Sequence, residues 1–398
     1  MDDEKKLNSS IKKIYKVFEK MKHKSISVSG RKIADGTYDK TYPETIAKLL
    51  NEAYEQNGIS DISQLNEGLF KEMIQKRVND YHQNANTSQT SNINSILAAV
   101  KSFNLGIQET NVFKNDKKFS LGDTDEIREI NKKQHIRRYA STSKTLRANP
   151  EQCEKVLENI ANTGYKTETR ELAYHISKIS YLTGARVTAA LNLKSRDIDI
   201  EANKITFFKD KGGLTRTIQV GEETATYLKS LQRGLQPHQN LFLYKRQDGT
   251  KKSVEEVRKA VEGVVSKAGK EFAVVDRVKI RDQDGKFKYV DVEKEFKVHS
   301  FRKGFCVNRT YEYLEKFSSK NALDDYIEQR IAQDPKIEGK LDNLYQRINK
   351  NLKKSRDIKV SEYAIFFTSV DIGHFRNDVI GQYYTTYQEV KDYFDNKK

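Results

Sequence analysis

Residues 168–220 read ETRELAYHISKISYLTGARVTAALNLKSRDIDIEANKITFFKDKGGLTRTIQV, and within them the hydrophobic period changes once. Glu168 to Leu182 is patterned as a helix that runs into Thr183-Gly184-Ala185-Arg186, and a further helix continues through Leu193. The period then drops from helical to alternating. Lys204-Ile205-Thr206-Phe207-Phe208 and Arg216-Thr217-Ile218-Gln219-Val220 are strands, and the Lys209-Asp210-Lys211-Gly212-Gly213 between them is a hairpin with a glycine turn. Helices interrupted by so short a β segment predict a mainly α protein with small sheets or hairpins, an α+β class.

Upstream, Asn149-Pro150-Glu151 offers an N-cap followed by proline in the first helical turn, and so opens a unit at residue 149. Before it, Ser10–Lys24 is a basic amphipathic helix with Ile11, Ile14, Val17, Phe18 and Met21 on one stripe. Helices over Tyr42–Gln56, Glu67–His82 and Ser91–Leu105 follow, the last ending at Gly106. These four make residues 1–110 one all-helical domain. Residues 111–148 are rich in charge and small polar groups and are expected to be a basic linker, with Lys132, Lys133, Arg137 and Arg138 placed to contact a phosphate backbone.

Downstream, helices are predicted over Glu222–Gln232 and Ser253–Ala268. Strands over Phe272–Ile280 and Lys286–Val292 are joined at Asp284-Gly285, and the final third is largely helical with a polar stretch from Ser318 to Lys359. Residues 149–398 therefore form a second domain, which includes the stretches near 272–292 and 318–359.

The 398 residues carry 72 Lys+Arg against 56 Asp+Glu, a formal charge of +16. With hydrophobic residues at only 36%, the 21 Tyr and 18 Phe still supply large apolar surface and exclude general disorder. No run approaches the ~20 apolar residues of a membrane helix, and MDDEKKLNSS lacks a signal peptide's apolar core, so no membrane partner and a cytoplasmic location are expected. Cys153 and Cys306 stand far apart without ligand-spaced partners, which supports neither a metal site nor a disulfide framework. The positive excess favours a polyanion such as nucleic acid.

Four separated pieces complete the pattern: Thr183-Gly184-Ala185-Arg186, the hairpin Lys211, Val298-His299-Ser300-Phe301-Arg302, and Gly373-His374 followed by Tyr383-Tyr384. In this order and spacing the sequence closely resembles the tyrosine recombinase (phage integrase) family. The resemblance covers residue 149 onward, where the stretches near 272–292 and 318–359 stand as additions to the family pattern, and is only general before it. It implies a helical core-binding domain and a catalytic domain closing as a C-shaped clamp on double-stranded DNA. It further implies site-specific recombination of a mobile element (integration or excision) through a 3′-phosphotyrosine intermediate. A tetrameric synapse passing through a Holliday junction, a monomer or dimer off DNA, an accessory directionality factor, and no metal or nucleotide cofactor are also implied. A bacterial, archaeal or phage-encoded setting fits.

The chemistry explains the residue types. Attack on a phosphodiester builds charge on the non-bridging oxygens, which planar guanidinium forks match bidentately; Arg186 and Arg302 are the expected clamp. His299 and Arg302, three apart on a helix, project from one face. The resemblance gives His299 a part in proton transfer and His374 a hydrogen bond to the scissile phosphate. A flexible ammonium suits protonation of the leaving 5′ oxygen, for which the Lys211-Gly212-Gly213-Leu214-Thr215-Arg216 register selects Lys211 over Lys209. Among Tyr383, Tyr384 and Tyr387, the nine-residue step from His374 selects Tyr383 as nucleophile, with Tyr384 expected to pack. Ala189 stands where many members of the family carry an acidic residue supporting the first arginine. A non-catalytic DNA-binding regulator on the same fold and a type IB topoisomerase-like enzyme are the competing classes. The tail after Tyr383 is expected to dock on a neighbouring protomer, and the 318–359 addition to touch DNA or a neighbour.

Overall fold

The computed structural model describes residues 2–30, 33, 35–83, 88–113, 119–136, 140–210, 214–242, 244, 246, 248–350, 352 and 354–396. The chain divides into two compact units, Met1–Thr142 with Arg277–Val290, and Ser143–Asp276 with Asp291–Lys398. No described helix is long and apolar enough to cross a membrane.

The first unit contains α1 (Asp2–His23), α2 (Tyr42–Asn57), α3 (Glu67–Gln83), α4 (Ser88–Thr110) and α5 (Thr124–Lys133). The stripe Ile14, Val17, Phe18 and Met21 on α1 is fully buried, as its spacing requires, against a core that includes Leu50, Phe70, Leu97 and Phe103. Two expectations change. The fourth helix does not stop at Gly106 but continues to Thr110. The glycine is there for close approach: a Cβ at 106 would lie 2.4 Å from Val17 Cγ1 and 2.6 Å from Met21 Sδ. The segment expected as a linker also contributes structure up to Thr142. Asp123 caps α5 by accepting from the amides of Asp125 (2.8 Å) and Glu126 (3.2 Å), while Phe113, Leu121 and Ile127 join the helical core. Those three apolar residues are spread among charges, which hides the periodicity. Lys132 pairs with Glu129; Arg137 and Arg138 lie outside the described residues.

The second unit begins with α6 (Pro150–Asn159), α7 (Thr167–Thr183) and α8 (Val187–Leu191). Asn149 and Gln152 exchange side-chain-to-backbone bonds of 2.9 and 3.1 Å, a capping box behind Pro150. A three-stranded antiparallel sheet follows in the order β1 (Ile198–Asp199), β2 (Lys204–Asp210), β3 (Leu214–Gln219). Ile205 and Phe207 point inward, whereas Thr206 meets Thr217 across the strands at 2.9 Å. Next in the chain come α9 (Glu222–Gln232), α10 (Val254–Ala268), the hairpin β4 (Val274–Arg281) and β5 (Phe287–Lys294), of which Arg277–Val290 belongs to the first unit, and then α11 (Val298–Lys316). Helices α7, α10 and α11 share one core through Ile176, Ile179, Val261, Val264 and Phe301.

The polar 318–359 stretch folds as α12 (Lys320–Gln333) and α13 (Lys336–Asn349), whose Leu323, Tyr326, Ile337 and Leu344 pack with Tyr313, Phe317, Phe366 and Phe367. The chain closes with α14 (Val360–Asp371), α15 (Asn377–Tyr383) and α16 (Tyr387–Asp395). The tail after Tyr383 has contacts within its own chain: Val390 is buried, and Phe394 stacks on Tyr311 with centroids 3.7 Å apart.

Gly106→Ala is expected to destabilise the first unit by about 1–3 kcal/mol through overpacking, even though alanine gains helix propensity. Urea unfolding at or above wild-type stability would refute the close α1–α4 approach.

Candidate active site

Three turns of the second unit deliver the predicted side chains. At the end of α7, Gly184 adopts φ +60°, and a Cβ there would fall 2.6 Å from Phe305 and 2.8 Å from Ile372, so glycine is required twice over. The turn leaves Arg186 as the extended residue that begins α8. His299 and Arg302 occupy the first turns of α11. After α14, Gly373 adopts φ +73° and presents His374. A register shift in the hairpin between Phe207 and Asp210 breaks the alternation of β2 and turns the Asp210 carboxylate inward.

Asp210 is the centre of the cation cluster. Its Oδ2 accepts from Arg186 Nη1 (2.8 Å) and from Arg216 Nε (2.9 Å). This carboxylate supplies from a strand the support that Ala189 cannot give. Arg216 also donates to the carbonyls of Asp371 and Gly184 (3.3 Å to the latter), and its guanidinium lies 4.5 Å over the Phe207 ring. Burial and then the neighbouring Arg302 depress its pKa to about 10, against the pull of Asp210. Arg302 is completely buried and donates to the carbonyls of Gly184 and Ile372. The expected clamp is therefore divided. Arg186 stays partly exposed beside a cavity of about 750 Å³, whereas Arg302 is committed to the two turns and to a tyrosine.

That tyrosine is Tyr384. Its hydroxyl lies 3.1 Å from His374 Nε2 and accepts from Arg302 Nε at 3.3 Å. Its ring is 5.4 Å from that of His299 and 5.7 Å from that of His374, centroid to centroid. Arg186 Nη2 also faces His374 Nε2, at 3.5 Å. With a guanidinium and a hydroxyl both directed at it, Nε2 is assigned as the acceptor and the imidazole proton to Nδ1. His299 lines the cavity with its ring exposed. Desolvation first, then Arg302, Lys303 and Arg186, hold it neutral at neutral pH, with a pKa depressed to about 3.

The structure thus brings Arg186, His299, Arg302 and His374 together. Tyr383 ends α15, half-buried beside Phe305, Ile365, Ile372 and Ile380, and the phenol that meets His374 and Arg302 is that of Tyr384. Lys211 and the side chain of Lys209 lie outside the described residues. Sequence reasoning missed Asp210, which sits where a turn residue is expected, and took Arg216 only as a register mark. Among the described residues no group of His, Cys, Asp and Glu could hold a metal ion. Burial pushes both cysteine thiols up, Cys306 to about 12, so neither is a thiolate nucleophile at neutral pH.

Residues 147–310 match the phage integrase family. In fold, the chain is similar to the Tn1549 transposon integrase in complex with transposon right end DNA (14% identity, TM-score 0.45, 96% of this chain and 99% of that one). It is also similar to XerH site-specific recombinase bound to difH substrate (16%, TM-score 0.41, 96% and 84%) and to XerA recombinase (12%, TM-score 0.33, 98% and 99%). These likenesses are too distant to carry function. No curated protein matches the chain.

Asp210→Asn leaves Arg186 and the buried Arg216 without their carboxylate and is expected to cost about 3–5 kcal/mol of stability. Denaturant melts should show the loss, and added sulfate should restore more stability in the variant than in the wild type. A melt within about 0.5 kcal/mol of wild type would contradict the role of Asp210.

Proposed function

We propose that this chain, whose residues 147–310 belong to the phage integrase family, is a site-specific DNA recombinase that cuts and rejoins duplex DNA through a 3′-phosphotyrosine link to Tyr384. The observation that carries the assignment is the Tyr384 hydroxyl held between His374 Nε2 and Arg302 Nε. A phenol needs a base to take its proton and a cation to support the developing phenolate. The unprotonated Nε2 supplies the first and Arg302 the second.

Arg186 is the fork left open to receive a non-bridging phosphate oxygen, and Asp210 holds its orientation. His299, neutral in the unliganded protein, faces the same opening; an arriving phosphate favours its protonated form and so prepares it to donate. Lys211 keeps its proposed role as the acid for the leaving 5′ oxygen. Attack forms the Tyr384 Oη–phosphorus bond, breaks the bond from phosphorus to the 5′ oxygen, and leaves the proton of the phenol on His374. Religation reverses the exchange. The net charge of +16 supports duplex DNA as the substrate. Assembly into a tetrameric synapse and action in the cytoplasm belong to the same proposal.

The test uses the full chain, incubated with randomly nicked fragments of its source genome, followed by capture of covalent protein–DNA complexes after denaturation. Wild type and Tyr383→Phe should yield adduct at the same DNA positions, and Tyr384→Phe should yield none. Adduct retained in Tyr384→Phe but lost in Tyr383→Phe would move the nucleophile to Tyr383. Absence of adduct from the wild type would defeat the recombinase assignment.

A further inference from the structure

Asp371 carries a buried carboxylate that takes no part in the site above. It closes α14 three residues before His374 and is almost completely buried. Its Oδ2 accepts from Arg309 Nε (2.6 Å) and from the Tyr313 hydroxyl (2.7 Å), and Arg330 Nη1 lies 3.4 Å from Oδ1. Burial alone would raise its pKa, but Arg309 and then Arg330 outweigh that and hold it below the usual carboxylate range.

Arg330 belongs to α12, within the 318–359 addition. Its Nη1 donates to the Tyr326 hydroxyl (2.9 Å), which in turn is 2.9 Å from that of Tyr313. On the opposite side, the backbone carbonyls of Asp371 and Ile372 accept from Arg216 and Arg302, the two buried cations of the catalytic cluster. A buried ion pair is weak evidence for stability, since apolar packing serves as well. What the charge fixes here is the position of the turn whose amides at Gly373 and His374 bond back to Val370 (2.8 Å) and Ser369 (2.9 Å).

We infer that Asp371 and the α12 residues Arg330 and Tyr326 are positioning residues: the 318–359 addition braces the Gly373–His374 turn from behind, and through it sets His374 against Tyr384. The catalytic half of this inference rests on the recombinase assignment. The structural half does not. The addition is thereby a strut for the active site, whatever else its surface meets.

Arg330→Gln and the milder Tyr326→Phe test it in the full-length protein. Hydrogen exchange at residues 371–376 should become about tenfold faster in Arg330→Gln, while exchange at residues 176–183 stays unchanged. Single-turnover cleavage of a nicked duplex bearing the recovered site should fall about 10- to 100-fold with DNA affinity unchanged, and Arg330→Lys should restore part of the rate. Tyr326→Phe should shift both readouts in the same direction but less. Unaltered exchange at 371–376 in a folded Arg330→Gln overturns the inference, and so does a rate loss that merely follows weaker DNA binding. If the wild type cleaves no DNA, the recombinase assignment fails by itself, and the exchange result still decides whether α12 braces the turn.

Discussion

Three guanidinium groups, those of Arg186, Arg216 and Arg302, gather around the Asp210 carboxylate and the Gly184 carbonyl. Like charges at this separation repel unless anions or carbonyl dipoles stand between them. Much of the second unit's local geometry follows from meeting that condition. The bulge in β2 turns Asp210 inward, Gly184 opens its carbonyl to two arginines, and the end of α14 offers two more carbonyls. The cluster remains cationic, with Arg186 left partly open to the cavity. A tetrahedral phosphate is the kind of anion that completes such an arrangement.

The carboxylate also resolves the apparent defect at Ala189. In many members of the family the sequence resembles, support for this arginine comes from the helix that follows it; here it comes from the end of β2. Arg186 is thus tied to the end of β2 through Asp210, the residue before Lys211 in the sequence. Moving the carboxylate from helix to strand couples the arginine fork to the hairpin instead of to α8.

Much of this was legible in the sequence because local rules set it. The period change at residue 204, the N-cap at Asn149 and the Thr183-Gly184 turn each depend on neighbours in the chain, and each forms as expected. What depends on distant partners was not legible. Gly106 has the form of a helix stop, and only α1 lying against it explains why the helix continues. Asp210 has the form of a turn residue until the bulge is seen. The nine-residue step from His374 selects Tyr383, whereas the contacts of the Tyr384 phenol with His374 and Arg302 depend on distant partners. Tyr384 is the C-cap of α15, and its phenol oxygen lies 3.1 Å from His374 Nε2.

The central claim is that Tyr384 carries the covalent link to DNA. It is tested most directly by digesting trapped wild-type complexes with nuclease and trypsin and sequencing the peptide of residues 377–391 by tandem mass spectrometry. The account predicts a nucleotide adduct on Tyr384. An adduct on Tyr383 or Tyr387 would contradict it.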